Sequence, residues 1–412
     1  MKRQSTTSSL LRRLNRSAAV DLIRTEGVIS PSSLAERLNI SLPTVMRVIE
    51  DLIAEDLVAY DGFDETPRGR PRARIKFRGA AHAIIGIEAG KGEFYGAVAN
   101  LEGVVQTEMH ETADSDGERN FEKLVGLIRR LMAAPRPRGQ TIRGIGIGLP
   151  SIVRQPAGEV VLTLGLGWRD MPLRARLSEH FQMPIVVENG RNLAAVGEWG
   201  FGAGRGADSV VSLSIGPGAG AGVVIDGKLY GGHSHAAGEL SWYLDDPLLT
   251  GRPFEHLGHK QSLRFFGIPE QATKMLEEAN TQYAAGKLTL AAVTDRQAGK
   301  VAPVVTELLD YATMAVGSVA AFMNPEIIVL AGRVVGGGDL VLDVLRHRLK
   351  GNVYDPPRLV IGALGHRDIV LGAVRLVLDA TTLNPYRQPR DGRLKINRSR
   401  LTATESWHSV SD

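Results

Sequence analysis

Apolar residues recur every three or four positions through the first stretch of the chain and mark three short helices. The first carries Val20 and Ile23, opens at Asn15 or Ser17, either of which can cap it, and stops at Gly27, where a missing Cβ permits a left-handed residue. The second opens at Ser30, with Pro31 in its first position, where a missing N–H costs nothing, and buries Leu34 and Leu38. After the turn Asn39-Ile40 the third runs from Ser41 to about Glu55. It aligns Val45, Val48, Ile49 and Leu52 in one stripe and leaves Ser41, Thr44 and Arg47 on the other face. Strand patterns follow at Leu57-Val58-Ala59-Tyr60 and Ala73-Arg74-Ile75-Lys76-Phe77, on either side of Pro67-Arg68-Gly69-Arg70-Pro71-Arg72. Two helices joined by a short turn and followed by a basic hairpin predict a winged helix-turn-helix over residues 13–78, with a flexible stretch over 1–12 before it.

From Ala83 the texture changes to β-branched strands alternating with glycine turns and helices, the pattern of an α/β domain expected over residues 82–382. Strands are predicted at Ala83–Glu88, Phe94–Asn100, Ile142–Ile147, Ile185–Val187, Val210–Ile215 and Ile327–Ala331. Helices are predicted at Phe121–Ala133, Asn192–Glu198, Val301–Phe322 and Ile369–Ala380. Residues 384–412 are Arg- and Ser-rich with little apolar content and read as a basic, disordered tail.

Composition narrows the chemistry. With no cysteine, disulfides, Cys-bound zinc and thiol catalysis are excluded. No apolar run approaches the roughly 20 residues that span a bilayer, and no apolar segment follows the basic N-terminus, so a cytoplasmic protein without a membrane partner is expected. Residues 1–80 hold 14 Lys and Arg against 10 Asp and Glu, a basic head that suits a polyanion. Ser41, Pro43, Thr44 and Arg47 stand where a recognition helix meets double-stranded DNA, and Arg47 has the fork that bonds guanine at two atoms. Arg68, Arg70 and Arg72 would form a wing reaching the minor groove, with a solvated linker as the plainer alternative.

Two glycine-rich turns follow strands: Gly86-Ile87-Glu88-Ala89-Gly90-Lys91, and Gly216-Pro217-Gly218-Ala219-Gly220-Ala221-Gly222. Either could let backbone N–H groups approach a phosphate, and either could be a plain tight turn. With them, Gly144 to Pro150, Val187-Glu188-Asn189-Gly190-Arg191-Asn192, Ala237-Gly238-Glu239 and Asn324-Pro325-Glu326 through Gly332 occur in an order that resembles the ROK family of sugar kinases and sugar-responsive repressors. The resemblance covers nearly the whole chain. It implies a ribonuclease H-like, two-lobed actin-type ATPase body behind the winged helix-turn-helix, assembling as a homodimer or homotetramer.

The same resemblance locates what is missing. The family's catalytic Asp position is Gly190, so no general base stands there and no enzyme activity is expected. Glu88, Gly90, Gly216, Gly218 and Gly220 become degenerate phosphate loops, Pro217 replaces a phosphate-contacting Thr, and no cofactor is implied. The family's zinc is lost: its Cys ligands are absent and its His position is Trp242. A substitute site among His233, His235, His256 and His259 lacks the fixed geometry that zinc demands, so no metal is expected. Asn189, Glu239, Gly165, Trp242 and His235 would line the site of a sugar or sugar-phosphate effector, or Asn189 and Glu239 persist only as supports of the fold. The expectation is a DNA-binding regulator of carbohydrate genes. Its rivals are a ligand-independent regulator with a structural body and an active sugar kinase.

Overall fold

The computed structural model describes residues 3–64, 72–90, 92–216, 219–240, 270–295 and 301–383. The predicted wing residues Arg68 and Arg70, the turn Pro217-Gly218, Trp242, His256, His259 and the tail over 384–412 lie outside them.

The head comprises α1 (Arg3–Glu26), β1 (Val28–Ile29), α2 (Pro31–Leu38), α3 (Leu42–Ala54), β2 (Val58–Asp64) and β3 (Arg72–Phe77). Ser30 caps α2 by accepting a hydrogen bond from the Ser33 amide at 3.1 Å, and Asn39 ends it in the left-handed region at φ 51°. Ser41 caps α3. Val20, Ile23, Leu34, Val45, Ile49, Leu52 and Ile75 close one core. The strands form an antiparallel sheet in the order β1-β3-β2, whose short first strand has too few residues to show alternation.

One expectation is corrected here. Residues 3–12 are the first turns of α1 rather than a flexible lead, and Asn15 and Ser17 lie inside the helix rather than capping it. Tertiary pairing outweighs the local cap signal: Arg12 meets Asp51 and Arg16 meets Glu55, each at 2.6 Å, along the flank of α3.

The body continues with β4 (His82–Gly90), β5 (Glu93–Asn100), β6 (Val105–Thr112), α4 (Gly117–Ala133), β7 (Thr141–Leu149), β8 (Val153–Arg154), β9 (Glu159–Thr163), β10 (Trp168–Met171), α5 (Leu173–His180), β11 (Ile185–Asn189) and α6 (Gly190–Phe201). A second lobe holds β12 (Ser209–Ile215), β13 (Ala219–Ile225), β14 (Lys228–Leu229), α7 (Glu270–Ala284), α8 (Leu290–Thr294), α9 (Pro303–Met323), β15 (Ile327–Ala331), α10 (Gly338–Leu349) and β16 (Arg358–Ile361), and α11 (Asp368–Leu383) returns to the first. The sheets run β6-β5-β4-β7-β11 and β14-β13-β12-β15-β16. Each has an antiparallel three-stranded unit followed by two parallel strands, so one plan is used twice.

Helix α9 amends the membrane expectation: its 21 residues are long and apolar enough to cross a bilayer. Val305, Leu309, Ala312 and Val316 are nevertheless buried in the core of the second lobe, as in the central helix of a water-surrounded domain.

Helix α11 is the hub. It lies directly on β4 and β7, whose glycines make room for it: a Cβ on Gly86 would stand 2.8 Å from Val370, and one on Gly146 would stand 2.6 Å from Ala373. Its adjacent face, Leu371, Val374 and Leu378, shares a core with Ala19, Val20 and Ile23 of α1, so the head is packed onto the body.

A second tether joins the head to β4 and β7. Glu55 accepts from both Arg16 and Arg143, and the buried His82 ring bridges the Asp56 carbonyl at 3.0 Å and the Thr141 hydroxyl at 2.8 Å. A carbonyl only accepts, so His82 donates from Nε2 and accepts from Thr141 at Nδ1. Burial holds this imidazole below its ordinary pKa of 6.5 and keeps it neutral. The unfolded chain therefore binds the proton first, and this contribution to stability is present above pH 6.5 and lost as pH falls below it. Thermal unfolding followed from pH 7.5 to 5 should show a smaller acid-side loss in His82→Gln than in the native chain. Equal losses would show that His82 does not carry this linkage.

Candidate functional site

The first candidate surface is the outer face of α3. Pro43 occupies the first turn, where its missing N–H is harmless, and Ser41, Pro43 and Arg47 are exposed. The Ser41 and Thr44 hydroxyls lie 2.8 Å apart and the Thr44 amide donates to Ser41 Oγ at 3.4 Å, so the pair builds the cap as well as the surface. Arg47, one turn further on, has no hydrogen-bond or ion-pair partner among the described residues. Arg72 opens β3 opposite Asp64. At the base of the hairpin Asp61 binds Lys76 at 2.6 Å, and its backbone carbonyl accepts twice from Arg74. The Lys76 ammonium holds the Asp61 carboxyl below its usual range. The sequence reading missed this internal neutralisation, because Asp61 looked like one charge among many.

The second candidate lies at the junction of β11 and α6. Asn189 caps α6, its Oδ1 accepting from the Arg191 amide at 2.8 Å, while its Nδ2 donates to Glu239 Oε1 at 3.1 Å. Glu239 is brought there by Gly238, which at φ 84° sits so close to β13 that a Cβ would lie 1.8 Å from the Ala221 carbonyl oxygen. The Arg191 guanidinium approaches Glu239 to 3.9 Å. Behind them Glu188 is buried and accepts from the Asn189 amide, Asn192 Nδ2 and Gln155 Nε2, which fixes the turn. Asn192 and Gln155 are supports that pattern alone did not reveal.

Gly190 opens α6. A Cβ there would stand 3.2 Å from Ile369 Cδ1, the end of a flexible side chain, and no nearer than 3.6 Å to any backbone atom within reach. Local space therefore admits a larger residue with a small adjustment of Ile369. Glycine at this place is therefore not required by the backbone.

The remaining predicted residues divide. Glu88 lies in β4 between Tyr95 and Gly148 of the neighbouring strands, and Gly90 ends β4 beside the Pro150 ring. Gly216 closes β12, but Gly220 is corrected from a turn to the interior of β13, paired with Ser214. Its missing side chain makes room for Arg191, whose Cδ would lie 2.4 Å from a Cβ at that position, so helix packing explains this glycine. Gly165 is the exposed residue of the single turn Leu164–Leu166, and no hydrogen bond or ion pair among the described residues ties it to Asn189 or Glu239. His235, left-handed at φ 59°, lines a different space with Gln155 and Glu188: a cavity of about 1070 Å³ that reaches Asp21 and Arg24 of α1.

With this geometry in hand, comparison with known proteins is specific. Residues 84–248 match the ROK family model, and residues 6–59 match a winged helix-turn-helix DNA-binding family. The chain is 25% identical over 391 residues to the xylose repressor of Caldicellulosiruptor bescii, covering 90% of this chain and 96% of the relative. It is 28% identical over 250 residues to the glucokinase of Halalkalibacterium halodurans, covering 58% and 74%. Among solved structures, a ROK family transcriptional regulator described as a homologue of the E. coli MLC protein superposes with a TM-score of 0.70 at 19% identity, covering 91% of this chain and 97% of that one. That likeness extends the shared fold through the head as well as the body.

Proposed function

We propose that this chain, which carries a ROK-family body behind a winged helix-turn-helix, is a sequence-specific transcriptional repressor that answers to a sugar or sugar derivative and no longer transfers phosphate. The observation that carries this reading is Gly190 at the head of α6, in a body onto which the head with its exposed α3 face is packed. A kinase of this design needs a carboxylate to take the proton of the attacking hydroxyl, and glycine supplies none. The full-length similarity to a protein named xylose repressor supports the same direction.

In this reading Ser41, Pro43, Thr44, Arg47 and the wing arginines Arg68, Arg70 and Arg72 meet a DNA operator, while Asn189 and Glu239, with Trp242, receive the effector; His235, which lines the neighbouring cavity, and Gly165 stand apart from that pair. The DNA-binding unit lies within residues 13–78, extended by the start of α1, the effector and assembly unit spans 82–382, and 384–412 is a basic tail. The protein works in the cytoplasm as a homodimer or homotetramer on paired half-sites.

Fluorescence anisotropy on the gene's own upstream DNA, with and without D-xylose, D-glucose and their 6- or 5-phosphates, tests the reading. One of these sugars should change the affinity by about tenfold, roughly 1.4 kcal/mol of coupling. An ADP-release assay on the same panel should stay at the blank rate. Sequence-indifferent binding would end the repressor reading, and turnover abolished by altering Gly218 would establish a kinase. A ligand-independent regulator is favoured by one fact, that Asn189 and Glu239 already satisfy each other at 3.1 Å. It predicts no thermal shift with any of these sugars.

A further inference from the structure

Helix α6 runs from the second candidate surface to the head that carries the first. It starts at the Asn189-Gly190 cap and, after 12 residues, roughly 18 Å of rise, ends against the head. There Arg24 of α1 donates to the Gly200 carbonyl at 3.1 Å and lies 5.4 Å over the Phe201 ring. Arg375 of α11 lies 4.6 Å over Trp199. α6 and α11 cannot slide independently: a Cβ on Gly372 would stand 1.8 Å from the Leu193 carbonyl oxygen, and one on Gly197 would stand 2.2 Å from that of Asp368. The ends of both helices thus meet the head at the same few side chains, Arg24, Trp199 and Arg375.

We propose that Arg375 is the positioning residue that sets the angle of the DNA-binding head, gripping Asp21 of α1 while stacked on Trp199 of α6. This rests on the DNA-binding reading above. Among the described residues Arg375 is the guanidinium that bonds or stacks on all three helices: it binds Asp21 at 2.6 Å and Asp379 of its own helix at 3.0 Å. Its side chain is only 2% exposed whereas that of Asp21 is 37% exposed, so the guanidinium is fixed in the packed interior and solvent reaches the pair from the Asp21 side alone. The grip is directional, because a planar fork bonds only along its N–H vectors.

It is also incompletely satisfied. Arg375 Nη1 and Arg24 Nε are buried without a hydrogen-bond partner among the described residues. Burial, reinforced by the neighbouring Arg375 charge, pulls Arg24 down to about 10, and burial pushes the Asp379 carboxyl up to about 6 against the pull of Arg375. Such a contact defines one geometry while holding it weakly, since each unmet buried donor regains water when the contact opens. The apolar contact of Leu371, Val374 and Leu378 with α1 keeps the head attached when the polar grip is lost. Arg375 therefore governs orientation at the α11 side, while the apolar seam and the Glu55–Arg143 and His82–Asp56 tether govern attachment.

The absence of cysteine makes the test clean. Spin labels on Glu36→Cys, in the exposed face of α2, and Glu179→Cys, in that of α5, report the head-to-body distance by pulsed electron resonance in the full chain. The native background should give one narrow distribution. Arg375→Met should broaden it to at least twice the width, with far-ultraviolet helicity unchanged, and weaken binding to the upstream DNA about tenfold. Asp21→Asn, which leaves the buried cation in place, should broaden it less and serves if Arg375→Met does not fold. An unchanged distribution in the folded variants overturns the proposal, as does a broadened one with native DNA affinity. Failure of the native chain to bind its upstream DNA would remove the DNA reading alone, leaving the distance measurement to decide whether Arg375 positions the head.

Discussion

Gly372→Ala is expected to destabilise the body by about 3 kcal/mol, at the upper end of the overpacking range. The added Cβ would fall 1.8 Å from a backbone carbonyl oxygen of α6, at Leu193, and neither partner is a flexible side-chain end that could swing away. The helices must separate, and α11 also carries the contacts to β4, β7 and α1, so the damage extends to the head. Urea unfolding monitored by tryptophan fluorescence should show the midpoint moved well below that of the native chain. Gly126→Ala in α4 supplies the internal comparison, since its Cβ would meet only the Arg130 guanidinium at 3.8 Å. In a helix interior that change should stabilise by about 0.5–1 kcal/mol through reduced chain entropy. Similar midpoints for the two variants would refute the claim that α6 and α11 are locked backbone to backbone.

These glycines also show what the sequence could and could not disclose. The strand-turn pattern located β4, β5, β7, β11, β12 and β15 because their apolar runs are short, β-branched and bounded by glycine. The small strands β8, β9 and β10, with two to five residues each, left no comparable signal. Helix α1 was misplaced at its start because its stabilising partners, Asp51 and Glu55, are about forty residues away. Gly86, Gly146 and Gly220 looked alike as letters, yet they are small to admit Val370, Ala373 and Arg191, a reason visible only once the helices are laid on the sheets. At the site, the pairing of Asn189 with Glu239 across 50 positions agrees with the order of motifs. The grip of Arg375 on Asp21 did not announce itself, because a single Arg in an apolar helix is locally indistinguishable from a solvated one.

Arg47→Ala should weaken specific binding to the upstream DNA by about 1–3 kcal/mol, roughly 5- to 150-fold, while leaving the fold intact. The side chain is exposed on the helix face opposite Val45, Val48, Ile49 and Leu52, so its removal withdraws nothing from the core. Two modes of contact separate by experiment. If Arg47 forks onto a base, the loss should be concentrated on the cognate sequence, and Arg47→Lys should restore little of it, because an ammonium lacks the planar pair of donors. If it meets phosphate, cognate and unrelated DNA should weaken alike, Arg47→Lys should recover most of the affinity, and the slope of log K against log salt should fall by about one. The geometry favours the first mode. Ser41 and Thr44, at the N-terminus of the same face, are partly spent on each other and on the cap, which leaves Arg47 as the side chain on that face with the most uncommitted donors. Native affinity in Arg47→Ala at physiological salt would remove α3 from the recognition surface altogether.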